Sequence, residues 1–229
     1  NDTPALIADM ERLRAHLDIA RWTIFAGSWG ACLGLVYGQY HPTACSRLIL
    51  RGLPVRHGPQ TRWLLHERPE RLPERWATIE ALVGPVPRDA LIETLYRAVC
   101  SGRQDAVDDA TRAVLLLEHG LSGPAPGPPP TPGRLAIQPG DIQRARIYLH
   151  FWAHRSFLPE DTLLFAPGSL TSTPVTLVHG VSDWICPIEG SETVKRHLPH
   201  ARLIPVHGAG HSPFHPAMVR ALTNALRRT

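Results

Sequence analysis

Three side chains in this sequence, Ser28, Asp183 and His211, are of the types that together turn a hydroxyl group into a nucleophile. Each lies shortly after an apolar segment and next to small residues that suit a tight turn. A serine hydroxyl is a poor nucleophile at neutral pH, so an imidazole must take its proton during attack. The imidazole in turn needs a carboxylate to hold its tautomer and to stabilise the imidazolium that forms. The three residues therefore predict chemistry in which a serine attacks an acyl group.

The strongest local signal is the stretch 21–40, where a short apolar run ends in Ala-Gly-Ser-Trp-Gly and a helical pattern follows. This order predicts a strand, a sharp turn with Ser28 at its apex, and a helix. The backbone N–H of Trp29 and the helix N-terminus would then point toward negative charge that develops on a substrate. Ala26 and Gly30 supply small residues on both sides of the turn, although the usual pattern has glycine at both positions. The alternative is an ordinary strand-to-helix connection that happens to contain a serine.

Asp183 and His211 also have structural alternatives. Asp183 could cap the helix that follows it, and His211 is one of thirteen histidines. His207 is assigned a structural role at a strand end, and Asp161 is a further carboxylate within the central part of the chain. The chain order Ser, Asp, His at the carboxyl ends of three strands is the order of an α/β-hydrolase triad. The combined pattern favours Ser28 as the nucleophile, His211 as the general base and Asp183 as its partner.

The rest of the sequence alternates between strand and helix patterns, which predicts an α/β fold with a parallel sheet and right-handed crossovers. Thr3 is expected to cap a first amphipathic helix. Residues 47–53, 174–180 and 201–206 are predicted strands. Pro205 cannot donate a backbone hydrogen bond, so it places the last strand at a sheet edge.

The predicted α/β core has two parts, residues 1–54 and 169–229, separated by a mainly helical insertion at residues 55–168. Residues 122–133 contain six prolines and three glycines, so they are predicted to form an extended loop. A helical block between the strands of a parallel sheet is typical of a lid over an active site. Three tryptophans of the insertion suit either an apolar pocket wall or ordinary core packing: Trp63, Trp76 and Trp152.

Composition narrows the class of protein. The chain has 229 residues, of which 43% are hydrophobic, enough to bury one sizeable core. The net charge of +4 is scattered, which argues against a nucleic-acid surface. No apolar run has the length of a membrane span, and no segment resembles a signal peptide. The four cysteines show neither C-x-x-C pairing nor metal spacing, so we expect free thiols, no metal site and a cytoplasmic location.

Three segments around the candidate residues resemble the signatures of one family. They are GSWG at Ser28, VHGVSDWICP around Asp183 and GAGHSPF around His211. In these motifs, and from its first helix to its last, the chain is similar to the proline iminopeptidases of the α/β-hydrolase superfamily. The resemblance implies attack on the carbonyl of an N-terminal residue, often proline, through an acyl-enzyme. It implies a small peptide or an aminoacyl amide or ester as substrate, and no metal or organic cofactor.

The sequence departs from this family before the nucleophile. The family carries an HGGPG loop there, which supplies a second oxyanion donor, and further N-terminal strands; neither occurs in this sequence. By resemblance, the strands present are the second half of the sheet, so the strand at 21–26 is expected to have an unpaired apolar edge. We therefore expect either a fragment or a partner polypeptide that completes the sheet. Because loss of one oxyanion donor typically lowers the rate roughly 100- to 1000-fold, the chain alone is expected to be a poor enzyme.

The site for the substrate amine is also altered. In the family, glutamates of the lid bind the free α-ammonium group of the substrate. The segment 113–118, AVLLLE, matches one such helix and offers Glu118, for which a solvated helix face is the alternative. The segment 145–152, ARIYLHFW, resembles a family segment ARIENHYF but has Tyr148 in place of the glutamate. Loss of the second carboxylate leaves room for another amide or ester substrate.

Three functions remain open from the sequence. The first is a serine hydrolase of the iminopeptidase type, acting on N-terminal aminoacyl amides. The second is an esterase, a thioesterase, or an acyl-transfer or amide-hydrolysing enzyme of specialised metabolism, which Tyr148 favours. The third is a non-catalytic chain that needs an N-terminal partner, which the missing HGGPG loop favours.

Overall fold

The computed structural model describes most of the chain, namely residues 1–54, 62–67, 70, 73–118, 135–159 and 170–227. The predicted limits of the insertion (residues 55 and 168), the proline-rich range 122–133 and Asp161 lie outside the described residues. The described residues form two compact units. The first contains residues 1–54, 158–159 and 170–227, and the second contains residues 62–67, 70, 73–118 and 135–157.

Among the described residues, strands and helices alternate in the first unit, whereas the second unit contains helices. In chain order they are α1 (Thr3–His16), β1 (Trp22–Gly27), α2 (Trp29–Tyr40), β2 (Cys45–Arg51), α3 (Pro73–Val83), α4 (Leu91–Val99), α5 (Gln104–Glu118), α6 (Asp141–Ala153), β3 (Val175–Gly180), α7 (Glu189–His197), β4 (Arg202–Val206) and α8 (Pro216–Arg227). Short helical turns lie at Pro42–Ala44, Trp63–Glu67, Arg88–Ala90 and Arg155–Phe157.

In the described part of the chain, the strands form one parallel sheet in the order β1-β2-β3-β4. This confirms the predicted α/β fold. Pro205 lies on the edge strand β4, opposite His179 of β3, as its missing N–H predicted. β1 forms the other edge of this sheet, and its Phe25 is 51% exposed. Because the strands are parallel, the carboxyl ends of β1, β3 and β4 lie along the same side of the sheet.

Helices pack on both faces of the sheet, which explains why β2 is apolar on both sides. Leu48 and Leu50 join a cluster with residues of α1, α2 and α7. Ile49 instead joins a cluster with Met218 and Leu222 of α8. Successive side chains of a strand point to opposite faces, so this alternation places β2 between two helical layers.

Glycines bring α2 unusually close to the sheet. A Cβ at Gly34 would lie 2.8 Å from Cγ2 of Ile24, and one at Gly38 would lie 2.9 Å from Cδ1 of Leu48. Side chains at these positions would push the helix away from β1 and β2. The glycines therefore fix the position of the α2 N-terminus, where Ser28 lies.

The N-cap of α1 lies one residue earlier in the chain than the sequence suggested. Asp2 is the N-cap, and its carboxylate accepts a hydrogen bond of 2.8 Å from the N–H of Ala5. The prediction that Thr3 caps α1 is therefore wrong. Thr3 is the first helical residue and is buried, which leaves Pro4 in the first turn, where its missing N–H has no helical partner to lose.

Glu11 ties α1 to α2 and β1. Its carboxylate accepts two hydrogen bonds of 2.9 Å from Arg14 and a further one from the hydroxyl of Tyr37, which is buried. Nε1 of Trp22 donates to the same Tyr37 hydroxyl at 2.9 Å. The hydrogen bonds from Arg14 and Tyr37 lower the pKa of Glu11 from 4.5 to about 2.

Glu11→Gln is expected to lower the free energy of unfolding by about 1–2 kcal/mol at neutral pH, because charge-assisted hydrogen bonds are lost. The pKa of Glu11 is depressed in the folded chain, so its contribution is present above about 4.5 and disappears as the pH falls through about 2. Urea unfolding at pH 7 and pH 3 measures this difference. Glu93→Gln, which removes an exposed pair with Arg97 (2.9 Å), is the control and should change little. An effect of Glu11→Gln that is the same at both pH values would contradict the electrostatic explanation.

The second unit is helical throughout its described residues. Helices α3 to α6 enclose a core that includes Leu95, Leu116 and Leu149, each fully buried. Trp76 belongs to this core, where it is 8% exposed and its Nε1 donates to Oε1 of Glu80 at 2.8 Å. For Trp76, core packing is thus the observed role. None of the helices in the described ranges combines the length and the apolar character that a bilayer-spanning segment needs.

Candidate active site

Ser28 occupies a strained turn between β1 and α2. Its backbone has φ 58° and ψ −133°, a conformation that non-glycine residues rarely adopt. The turn is held by the N–H of Ser28, which donates to the carbonyl oxygen of Arg51 at 2.8 Å. A Cβ at Gly30 would have the Cβ of Ala26 as its nearest neighbour, at 4.0 Å, which is an ordinary contact, so the predicted collision at position 30 is not observed. Ser28 is therefore at the apex of the predicted strand–turn–helix unit.

His211 lies between Ser28 and Asp183. Its Nε2 is 2.9 Å from Oγ of Ser28, and its Nδ1 is 2.7 Å from Oδ2 of Asp183. An ionised carboxylate can only accept, so the proton of a neutral imidazole is on Nδ1. Nε2 is then free of a proton and accepts from the serine hydroxyl. The structure brings the three predicted residues into one hydrogen-bonded chain.

The environment of Asp183 keeps its carboxyl group ionised. Burial alone would raise the pKa, but the neighbouring imidazoles of His179 and His211 outweigh burial and hold the pKa of Asp183 well below its ordinary value. Oδ1 accepts from the N–H groups of Ile185 and Cys186 at 2.9 and 2.8 Å. The helix that follows, α7, has no side-chain cap, so Asp183 does not cap it.

His179 is a neighbour of the site that the sequence did not reveal. It is fully buried, and its Nε2 is 2.7 Å from the carbonyl oxygen of Cys186 and 3.5 Å from Oδ2 of Asp183. Because a carbonyl only accepts, Nε2 carries the proton, and Nδ1 accepts from the hydroxyl of Ser191 at 2.7 Å. His179 therefore holds the loop that carries Asp183. The available signal was the histidine at the end of a buried strand in Val-His-Gly.

Arg51 and Gly52 also adjoin the site, at the carboxyl end of β2. Nη1 of Arg51 donates to the carbonyl oxygen of His211 at 2.6 Å. Gly52 has φ +57°, and a Cβ there would lie 3.3 Å from Nδ1 of His211 and 3.4 Å from Oδ2 of Asp183. The sequence showed only a buried strand here, although an arginine inside an apolar run was a signal that its side chain needs a buried polar partner.

Glu118 and Tyr148 lie in the second unit, at the end of α5 and in α6. Oε2 of Glu118 is 3.7 Å from Nη2 of Arg144, and the Glu118 side chain is 33% exposed. The ring of Tyr148 packs against Trp152, with centroids 5.1 Å apart. Their assignment as substrate contacts stays a prediction, and the same Nη2 of Arg144 is closer to Oδ1 of Asp141, at 3.3 Å.

Metal ligands and cysteine thiols are the other side chains of the described residues that could do chemistry. No group of three or more His, Cys, Asp or Glu side chains there is arranged to hold a metal ion. All four cysteines are free thiols. Sγ of the buried Cys32 donates to the carbonyl oxygen of Pro54 at 2.7 Å, and burial raises the pKa of this thiol, so it is a poor nucleophile.

Comparison with known proteins agrees with this geometry. Residues 2–217 match the model of a family described by the α/β hydrolase fold. A probable proline iminopeptidase of Leptolyngbya boryana is 32% identical over an alignment that covers all of this chain and 71% of the relative. The chain belongs to the proline iminopeptidase family of the α/β hydrolases. This membership makes it a serine hydrolase of that fold.

A second relative and a solved structure fit this membership. A proline iminopeptidase of Xylella fastidiosa is 33% identical over 98% of this chain and 72% of the relative. An α/β-fold hydrolase of Bacillus anthracis superposes with a TM-score of 0.57 at 18% identity, covering 97% of this chain and 72% of that one. At this identity the likeness to the solved structure concerns the fold alone.

Proposed function

We propose that this member of the family cleaves an N-terminal aminoacyl amide, with a proline-like residue on the acyl side, through an acyl-enzyme on Ser28. The observation that carries the proposal is the hydrogen-bonded chain from Asp183 through His211 to Ser28, with distances of 2.7 and 2.9 Å. It lies at a strained turn directly before α2. The curated relatives named as proline iminopeptidases support the choice of substrate.

In the first half of the reaction, Oγ of Ser28 attacks the carbonyl carbon of the N-terminal residue. The serine proton passes to Nε2 of His211, and the ionised Asp183 stabilises the resulting imidazolium. The imidazolium then gives this proton to the nitrogen of the leaving peptide as the C–N bond breaks. The N-terminal residue remains as an ester on Ser28.

In the second half, water takes the place of the peptide. Nε2 of His211 accepts a proton from the water, whose oxygen attacks the ester carbonyl. When the C–O bond to Ser28 breaks, the same proton returns to Oγ and the free amino acid leaves. No redox step and no co-reactant other than water is required.

The negative oxygen of both tetrahedral intermediates needs hydrogen-bond donors. Trp29 is the first residue of α2 and directly follows the nucleophile, so we propose its N–H as one oxyanion donor. The positive end of the helix dipole supports negative charge at the same place. The proposed oxyanion donor therefore belongs to the same turn as Ser28.

We further propose Glu118 as the anchor of the substrate ammonium, which gives a selective prediction. Glu118→Gln should lower kcat/KM at least tenfold for substrates with a free N-terminal amine, because a charge-assisted contact is lost. The matched N-acylated substrates have no ammonium and should be barely affected. Asp109→Asn, which removes a contact with Arg112 (3.2 Å) on the same helix, is the control. Equal losses on both substrate classes would make Glu118 a structural partner of Arg144.

The function itself is tested by comparing a prolyl amide, other aminoacyl amides and simple acyl esters at matched concentrations. Faster cleavage of free-amine substrates supports the proposal. Preference for simple acyl esters would favour the second candidate, an esterase, thioesterase or specialised-metabolism amide hydrolase, which the uncharged Tyr148 favours. If none is cleaved, either with or without a polypeptide supplying an HGGPG-type loop, the proposal is wrong and the chain is a non-catalytic component.

A further inference from the structure

We propose that Arg51 is a positioning residue that holds the nucleophile, Ser28, and the general base, His211, in the correct position relative to each other. This inference rests on the proposed function of Ser28 and His211. The carbonyl oxygen of Arg51 accepts from the N–H of Ser28 at 2.8 Å, and its guanidinium Nη1 donates to the carbonyl oxygen of His211 at 2.6 Å. One residue of β2 thus holds the turn before α2 with its main chain and the His211 loop with its side chain.

The His211 loop consists of small residues, and the N–H of Ser182, after β3, donates to the carbonyl oxygen of Ala209 in this loop at 3.0 Å. It leaves β4 through Gly208, which has φ +72°, and continues through Ala209 and Gly210. The N–H of Ala209 reaches the carbonyl oxygen of Val206 only at 3.4 Å. The loop also passes so close to β3 that a Cβ at Gly180 would lie 2.3 Å from the carbonyl oxygen of Gly210. The hydrogen bond from Arg51 adds a contact at His211 itself, beyond the backbone contact of this loop at Ala209.

The burial of Arg51 argues for positioning and against a role in general stability. The residue is 9% exposed; burial lowers the pKa of its guanidinium, while the negative charge of Asp183 opposes this effect. A buried charge is a weak source of folding stability, since an apolar side chain avoids its desolvation. What an apolar side chain cannot supply is the donor to the carbonyl oxygen of His211.

Gly27 has no side chain and so leaves room for this guanidinium. A Cβ at Gly27 would lie 2.6 Å from Nη2 and 2.9 Å from Nε of Arg51. Distances this short exclude any side chain unless the guanidinium moves. The contact with Arg51 thereby explains the glycine before the nucleophile.

The test compares Arg51→Met, which keeps length but removes the donor, with Arg51→Lys, which keeps a cation and can donate. Arg51→Met should lower kcat about 10- to 100-fold with KM changed less than about threefold, since misplacement of reacting groups affects chemistry more than binding. Arg51→Lys should fall between this variant and the wild type. Arg47→Met on the same strand, which removes hydrogen bonds to the α8 carbonyls of Ala225 and Leu226, is the matched control and should keep kcat.

A second variant keeps Arg51 in the sequence but moves its guanidinium. The role of Arg51 can then be tested even if Arg51→Met folds poorly. Gly27→Ala should lower kcat as Arg51→Met does, and adding it to Arg51→Met should lower kcat no further. Full kcat in both single variants, or strictly additive losses in the double variant, would overturn the positioning role. A loss of thermal stability with normal kcat below the unfolding transition would overturn it as well.

The positioning role and the proposed function can be tested separately, because proton NMR detects the proton on Nδ1 of His211 without any substrate turnover. The wild type should show a sharp downfield signal from the hydrogen bond to Asp183, and Arg51→Met should broaden or lose it. If the signal responds in this way but no substrate is cleaved, the positioning inference stands and the proposed function fails. If substrate is cleaved and Arg51→Met keeps both signal and kcat, the inference alone fails.

Discussion

Replacing Ser28 with alanine is expected to lower kcat on an aminoacyl amide by roughly 10³- to 10⁶-fold. The substitution removes the hydroxyl whose Oγ lies 2.9 Å from Nε2 of His211, and no acyl-enzyme can then form. Steady-state assays with the free-amine substrate, extended over hours for the variant, measure the loss. The fold should survive, because the Ser28 side chain points out of the turn toward His211 and the turn is held by backbone contacts to Arg51.

A serine elsewhere on the sheet provides the control for this experiment. Ser46→Ala removes a hydrogen bond of 3.1 Å to Thr23 on the neighbouring strand and should keep kcat within about twofold. Both variants should give the circular dichroism of the wild type. A Ser28→Ala enzyme with more than a tenth of wild-type activity would remove Ser28 from the mechanism.

The next largest loss is expected for Asp183→Asn, on the order of 10⁴ in kcat. The N–H groups of Ile185 and Cys186 fix the position of Oδ1, so the oxygen of an asparagine amide stays there. Its NH₂ group then takes the place of Oδ2, 2.7 Å from Nδ1 of His211. A donor at this place forces the imidazole proton onto Nε2, which can no longer accept the proton of Ser28.

Another aspartate–histidine pair tests whether this loss is specific. Asp89→Asn changes the exposed pair with His66, at 2.6 Å, and should leave kcat unaltered. Unfolding curves of both variants show whether stability accounts for any loss. If Asp183→Asn keeps near-normal turnover, a different acceptor orients His211 and the assignment of Asp183 is wrong.

The sequence was sufficient for the fold and for the three residues of the hydrogen-bonded chain. Strand patterns placed Ser28, Asp183 and His211 just after three strands, and parallel strands bring such positions to one side of a sheet. The structure joins them as that rule requires. The expected steric need for a glycine at position 30 is not seen, because a Cβ there would meet nothing nearer than the Cβ of Ala26, at 4.0 Å.

Contacts that depend on side-chain direction could not be read in this way. Arg51 lies in a buried run, and nothing in its neighbours along the chain shows that its guanidinium reaches the carbonyl oxygen of His211, 160 residues away. His179 looked like any histidine until Ser191 and Cys186 appeared as its partners. The cap of α1 was missed because Asp2 and Thr3 are both good capping residues and only the first helical turn decides between them.

Substrate selectivity is the least accessible property from sequence. Glu118 was singled out by resemblance, yet its ion contact with Arg144 depends on how α5 and α6 pack. A carboxylate with a cation beside it binds a substrate ammonium more weakly than a free one. The comparison of amine and acyl substrates therefore carries information that the residue type alone lacks.

The most direct test of the account is the location of a covalent adduct. The chain is treated with a fluorophosphonate probe until labelling stops, and the digest is mapped by tandem mass spectrometry. We expect a single modified site, the Oγ of Ser28, at close to one label per chain, and no label in Ser28→Ala. Stoichiometric labelling that maps to another residue, or that persists in Ser28→Ala, would contradict it.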